Sequence, residues 1–340
     1  MSLSLAVAGL RHPHIETIID EARLRPEVAL AAVAEPEPEI RARYAARLGV
    51  PGYADHREML DAVHVDVLGV GAVYGERGGI VSDALLAGVH VLADKPLCTT
   101  LADLDAIERA WRDSDRHLSV AFEKRFYPPT IAASRLVAEG ELGELVMISA
   151  SAPHKLTRQR RPEWMFDRAR YGGIINDLAV HDIDLLLHFS GATSGTLRAF
   201  TGNRANPDRP GFEDYGLVTL CSDDGVLASA EVNWLSPEAA SYHGDYRMRL
   251  VGTDGTAELL WKDDVLAVAT HSRPPWREPL PGRLRPAQDF FDALAGGRPP
   301  AVTARDALAA TRIALLAQRS AGEHRAMPWD ASGRRPGHGG

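Results

Sequence analysis

Apolar positions in the first third of the chain follow two alternating rhythms. Short, nearly continuous apolar runs recur: "LSLAVAGL" from Leu3, "VALAAVAE" from Val28, "VDVLGVGA" from Val65, "HVLAD" from His90 and "HLSVAFE" from His117. Runs of this length, rich in valine and leucine and bounded by glycine or charge, predict strands buried on both faces. Between them lie segments with three-to-four spacing: "HPHIETIIDEARL", "PEIRARYAARLG", "GGIVSDALLAG" and "LADLDAIERAWRDS". These predict helices, the first with Pro13 at its opening position and the second closed by Gly49. Strand alternating with helix implies right-handed crossovers and a doubly wound parallel sheet, a Rossmann domain over residues 1–122.

After Glu123 the rhythm changes. One helix, "PTIAASRLVAEG", precedes the strand "ELVMISASAP". Alternating segments near 195–204, 214–222, 226–235 and 246–261 predict strands, with Asp224-Gly225 and Asp254-Gly255 at hairpin turns. Helices are expected near 286–296 and 303–320. Residues 123–328 therefore form an α+β domain with a largely antiparallel, open-faced sheet, and 329–340 are expected to be a disordered tail. The fold class is α/β.

One apolar helix carries a polar seam. In "GGIINDLAVHDIDLLL", from Gly172 to Leu187, Asp177 and His181 stand four residues apart and share a face of an α-helix. Asp184 falls on the same stripe, and Asp182 points away. Three readings compete at this stage. The pair is an internal hydrogen bond between packed layers; or it is part of a metal site, for which no third ligand has helical spacing; or His181 does proton chemistry, oriented by a carboxylate. No metal is expected.

Composition narrows the partners. The 340 residues carry 38 basic and 46 acidic side chains, a net charge of −8, which disfavours nucleic acid and acidic membrane surfaces. Cys98 and Cys221 have no metal-type spacing and make no disulfide framework. The first residues lack the basic start of a signal peptide, and no run approaches the ~20 apolar residues of a membrane span. A cytoplasmic protein is expected.

A doubly wound sheet binds ligands at the carboxyl ends of its strands. The first strand–helix turn holds Gly9, Arg11 and His14 where G-x-G-x-x-G has glycines. Arg11 either crowds a diphosphate or pairs with it. Glu35 ends the second strand, where an acid accepts from a ribose hydroxyl; its neighbours in "EPEPE" would repel a 2′-phosphate, which favours NAD over NADP. Lys95 in "ADKPL" stands at a later strand end, followed by Pro96, a candidate cis proline.

Together "AVAGLRHPHI", "ADKPL", "GELGELV" and "YGGIINDLAVHDIDLLLHFSG" resemble the Gfo/Idh/MocA oxidoreductases, with "DFFDALAGGRPPAVTARDAL" similar to that family's closing helices. The resemblance runs from about residue 5 to 320 and implies NAD(P)-dependent oxidation of a CH–OH group in a sugar, inositol or polyol. It implies Lys95, Asp177 and His181 as the catalytic set. Cofactor contacts are expected from Gly9, Arg11, His12, Glu35, Gly71, Ala72, Asp94 and Lys95. The chain departs from the family at Asp94, which replaces a glutamate; at Arg11, Tyr171 and Ala179, which replace glycines; and at "GAVYGER", which replaces a threonine-proline-asparagine turn.

The basic loop "PHKLTRQRRPEWMFD" is either a solvated loop or a substrate loop. As the latter, His154, Arg158 and Trp164, together with Asp177, bind substrate, Trp164 offering its ring face to a sugar. A homodimer or homotetramer is expected, covering an exposed sheet face. Two rival functions stay open: NAD-assisted glycoside cleavage, and a non-catalytic NAD-responsive binding protein.

Overall fold

The computed structural model describes residues 2–331. They form two compact units: residues 2–122 with Ala169–Tyr171 and Arg285–Leu308, and Glu123–Arg168 with Gly172–Leu284 and residues 309–331. In chain order the first unit's main segment holds β1 (Leu3–Ala8), α1 (Ile15–Arg23), β2 (Val28–Ala34), α2 (Pro38–Leu48), β3 (Gly52–Tyr53), α3 (His56–Ala62), β4 (Val67–Val70), α4 (Arg77–Leu86), β5 (His90–Ala93), α5 (Leu101–Asp113) and β6 (Leu118–Val120). The strands lie in the order β3-β2-β1-β4-β5-β6, every pair parallel. That is the classical dinucleotide-binding order, which reverses between β1 and β4. The apolar runs are buried as their composition requires, and Leu5, Val7, Val67 and Leu92 are all fully enclosed.

Helix α1 presents Ile15, Ile18, Ile19 and Ala22 to this core, a stripe with the three-to-four spacing read from the sequence. Its start differs from expectation. Pro13 lies in the turn before the helix, because Ile15 N–H closes on His12 O and the His12 amide donates to Gly71 O at 3.1 Å. Helix α3 was not foreseen; Asp55 caps it, accepting from the amide of Arg57 at 2.7 Å.

The remaining elements are α6 (Pro128–Ala138), β7 (Leu145–Pro153), α7 (Arg168–Tyr171), α8 (Val180–Ser190), β8 (Ser194–Gly202), β9 (Tyr215–Ser222), β10 (Leu227–Asn233), β11 (Arg247–Gly252), β12 (Gly255–Leu260), β13 (Val265–Thr270), β14 (Trp276–Arg277), α9 (Pro286–Gly296), α10 (Ala304–Glu323) and β15 (Met327–Asp330). Helix α9 clusters with the first unit, although it follows most of the second in the chain. Phe290 and Phe291 join the core around Ile15 and Ile18, Arg285 pairs with Glu21 at 2.6 Å and Asp292 pairs with Arg25 at 2.8 Å.

The second unit's sheet runs β14-β13-β12-β11-β7-β10-β9-β8-β15. It is antiparallel except where β10 lies parallel to β7. Helices α6 and α8 pack on one face. The other face is open, with Met147 50%, Phe200 48% and Leu227 48% exposed. The stretch 246–261 is a hairpin turning at Asp254-Gly255. Strand β15 pairs with β8 and buries Trp329, so the expected disordered tail is ordered at its start; residues 332–340 lie outside those described. Among the described residues no helix is long and apolar enough to cross a membrane.

Candidate active site

In the first unit the expected cofactor residues gather along one edge of the sheet. Gly9 follows β1, Glu35 follows β2, Gly71 and Ala72 follow β4, and Asp94 and Lys95 follow β5, so four neighbouring strands contribute their carboxyl ends. Gly9 has φ +75°, and a Cβ there would lie 2.2 Å from the Ala72 Cα. Only glycine allows the first turn to press against the second. The Leu10 amide donates to Glu35 Oε2 at 2.8 Å and the Glu37 amide to Oε1 at 3.2 Å, which locks the Glu35 carboxylate, 1% exposed, under the turn. Arg11 is partly exposed in that turn. This low edge of glycine and alanine, flanked by an acid and a cation, fits a dinucleotide.

Asp94 is the hub of the edge. His12 Nδ1 is 2.6 Å from one carboxylate oxygen, His14 Nδ1 is 3.2 Å from the other, and Arg77 Nη2 donates at 2.8 Å. His12, Arg77 and His14 hold the Asp94 carboxyl well below the usual carboxylate range against the cost of its burial. Burial pushes His12 down to about 4, outweighing the attraction of Asp94. The ligand atoms of His12, His14 and Asp94 lie within 4.8 Å of one another, a spacing a cation could use, but the Arg77 guanidinium already supplies positive charge there. On its far side His12 Nε2 meets the Tyr74 hydroxyl at 3.1 Å. Lys95 is 5% exposed, precedes a cis proline bond, and holds its Nζ 6.0 Å from the Tyr74 ring centroid. Tyr74, Arg77 and His14 were missed as members of this cluster. A charged residue opening an otherwise apolar helix was the one signal for Arg77.

In the second unit the seam helix is not regular. Residues Ile175–Ala179 form a π turn, in which the Val180 amide reaches back to Ile175 O, and α8 follows directly. One extra residue in the turn breaks the uniform wheel on which Asp177 and His181 were placed. Such turns are common at functional sites. Asp177 is fully buried and His181 is 8% exposed. Asp184 takes Arg125 in a two-pronged ion pair at 2.6 and 2.8 Å, and Asp182 bonds Lys124. Burial raises the Asp182 carboxyl while Lys124 opposes the rise. Lys124 Nζ also sits 5.2 Å from the Tyr246 ring and 5.1 Å from that of Trp261. This buried cation went unread; "FEKRFYPP", with charges set into an apolar stretch, carried the hint.

The basic loop is divided. His154, which donates from Nδ1 to Ala152 O at 2.9 Å, is ringed by Trp234, His243 and Tyr246, with centroids 5.4, 5.4 and 4.6 Å away. Arg158 is exposed and paired with Asp208 at the surface. Trp164 is 3% exposed. It lies on the short helical turn Glu163–Phe166.

Comparison with known proteins agrees with this geometry. Residues 4–122 match the model of an oxidoreductase family with an NAD-binding Rossmann fold, and residues 130–258 match the GFO/IDH/MocA C-terminal domain. Inositol 2-dehydrogenase 2 of Saccharopolyspora erythraea is 29% identical over 260 residues, covering 76% of this chain and 68% of the relative. The scyllo-inositol 2-dehydrogenase (NAD(+)) of Bacillus subtilis is 24% identical over 259 residues, covering 74% and 71%. An oxidoreductase structure from Thermotoga maritima superposes with a TM-score of 0.88 at 25% identity, covering 96% of this chain and 100% of that one. Two matches to one family, in the family's own order, account for the Rossmann edge and the seam helix alike, and the chain belongs to the Gfo/Idh/MocA oxidoreductases.

Proposed function

We propose that the protein is an NAD-dependent dehydrogenase that oxidises a secondary hydroxyl of an inositol, sugar or related polyol. The observation that carries the reading is the Asp94–Lys95 strand end: a lysine 5% exposed, set beside a carboxylate tied to the nucleotide turn. The inositol dehydrogenases among the relatives support the substrate class.

NAD, when bound, accepts the hydride. Gly9, Arg11, His12, Gly71 and Ala72 would line its diphosphate, and Glu35 its ribose. The carboxylates of Glu35, Glu37 and Glu39 disfavour a 2′-phosphate, hence NAD rather than NADP. His181 removes the proton of the substrate hydroxyl. Lys95 donates a hydrogen bond to the same oxygen and stabilises negative charge growing on it. Asp177 binds a neighbouring hydroxyl and orients His181. His154 contributes from the substrate loop. A homodimer or homotetramer covering the open sheet face completes the reading.

A panel of inositols, sugars, sugar acids and aryl glycosides, each offered with NAD and with NADP and read both at the NADH absorbance and for released aglycone, tests this. Turnover of a polyol with NAD is expected. No reduction with any member overturns the dehydrogenase reading. Aglycone release without NADH accumulation replaces it with glycoside cleavage.

A further inference from the structure

Arg77 heads the largest fully enclosed side chains among the described residues. A buried guanidinium must have its donors satisfied, and where they go is informative. Nε donates to Ala72 O at 2.8 Å. Nη2 donates to Asp94 Oδ2 at 2.8 Å. Nη1 donates to Asp94 O at 2.8 Å and to Pro96 O at 2.9 Å. The last two carbonyls belong to the residues on either side of Lys95. A single nitrogen therefore holds the chain before and after the lysine, while the rest of the fork anchors it to the loop after β4 and to the Asp94 carboxylate. That carboxylate also faces His12 and His14 of the first turn. The Tyr74 ring fills the adjoining space, 4.5 Å from the guanidinium and 6.0 Å from Lys95 Nζ.

We propose that Arg77 is a positioning residue: its planar fork fixes the Asp94–Pro96 backbone, thereby fixes where the Lys95 ammonium stands, and couples that place to the nucleotide turn through Asp94. The claim rests on the role given to Lys95 above. Only a rigid, multi-donor cation suits this task, because a lysine or glutamine lacks the fork that reaches three carbonyls and a carboxylate together.

The sequence supplies a direct probe, since it has four lysines, Lys95, Lys124, Lys155 and Lys262. Lysine carrying carbon-13 at Cε, supplied during expression, labels all four whatever their burial, and single Lys→Arg variants assign the signals. In the wild-type chain the Lys95 signal is expected apart from that of Lys262 and to move when NADH is added. In Arg77→Gln, checked as folded by its melting curve, the Lys95 signal is expected to shift towards Lys262 and to lose part of its NADH response. Turnover of the panel's best polyol should fall about 10- to 100-fold in kcat, the effect of a small misplacement. If Arg77→Gln does not fold, Arg77→Gln combined with Asp94→Asn removes both buried charges and is read in the same way. A folded variant with an unchanged Lys95 signal and NADH response overturns the proposal. Loss of folding in both variants also overturns it, leaving Arg77 a structural staple. Lys95→Ala separates the two claims: retained turnover removes the role of Lys95 itself, whereas lost turnover beside a normal Arg77→Gln removes only that of Arg77.

Discussion

His12 turns Nδ1 to within 2.6 Å of the Asp94 carboxylate, and its ring is nevertheless held neutral. Desolvation lowers it to about 4, with His14 and Arg77 adding to the fall and Asp94 resisting it. The unfolded ring takes up its proton near pH 6.5. Between these values the unfolded chain binds more protons than the folded one, so stability is full above about 6.5 and declines as the pH falls through 4. The shift corresponds to about 3 kcal/mol. His90, which accepts the His117 amide at 2.9 Å, is also lowered to about 4 by burial and by His117, and it acts over the same range. Melting temperatures taken from pH 7 to pH 4 should drop steeply, and His12→Asn should flatten that slope. A pH-independent melting temperature across this window would contradict the neutral His12.

Gly9→Ala should be severe. The substitution strains a residue at φ +75° and drives a Cβ to 2.2 Å from Ala72 Cα. Backbone strain alone costs about 1–3 kcal/mol, and the clash moves the two turns apart. NADH titration should show affinity lost along with the lowered melting temperature. Near-normal NADH affinity would mean that the close approach of the two turns is dispensable for the cofactor.

The strand–helix alternation was legible because a parallel strand buried on both faces has to be apolar throughout, and a helix on its flank has to be apolar on one stripe. Gly9, Glu35 and Lys95 were legible because their places at strand ends follow from that rhythm. Arg77 was not, since its burial depends on carbonyls of Ala72, Asp94 and Pro96 that only the folded chain brings to it. The two phenylalanines of α9 announced an apolar face without saying which core it would join. The π turn was invisible because Ile175–Ala179 has the same apolar pattern in either kind of helix. The burial of Trp164 was invisible for a related reason, since a tryptophan in a basic loop carries no mark of which way its ring will turn.

Asp184 should prove structural. Its carboxylate is 1% exposed and is gripped at 2.6 and 2.8 Å by Arg125, and removing one partner strands the other. Breaking a buried pair costs about 3–5 kcal/mol. For a unit of this size that is a fall in melting temperature on the order of 10 °C. Asp184→Ala should show this fall with kcat close to wild type at a temperature where the variant is folded. A large loss of kcat without a loss of stability would move Asp184 into the reaction.

His181, one residue before Asp182 and three before Asp184, should behave in the opposite way. Its ring is 8% exposed where the three acids Asp177, Asp182 and Asp184 are at most 1% exposed, so among the ionisable groups of the seam it is the one that solvent reaches most. It lies two residues past the π turn, where irregular backbone recurs at functional sites. If it removes the substrate proton, His181→Ala should lower kcat by about 10²- to 10⁴-fold, the usual contribution of a general base. Melting temperature and NADH affinity should stay near the wild-type values. Asp177→Asn should give a smaller loss of kcat together with a raised KM, because it keeps the shape of the side chain and loses the acceptor charge offered to a neighbouring hydroxyl. If both residues instead form only an internal hydrogen-bond network, each substitution would leave a buried polar group unpaired at about 1–3 kcal/mol, and the melting curves would fall together while kcat stayed within a few-fold. Measuring kcat, KM, melting temperature and NADH affinity on the same two variants separates these outcomes, and an unaltered kcat in a folded His181→Ala would remove the histidine from the mechanism.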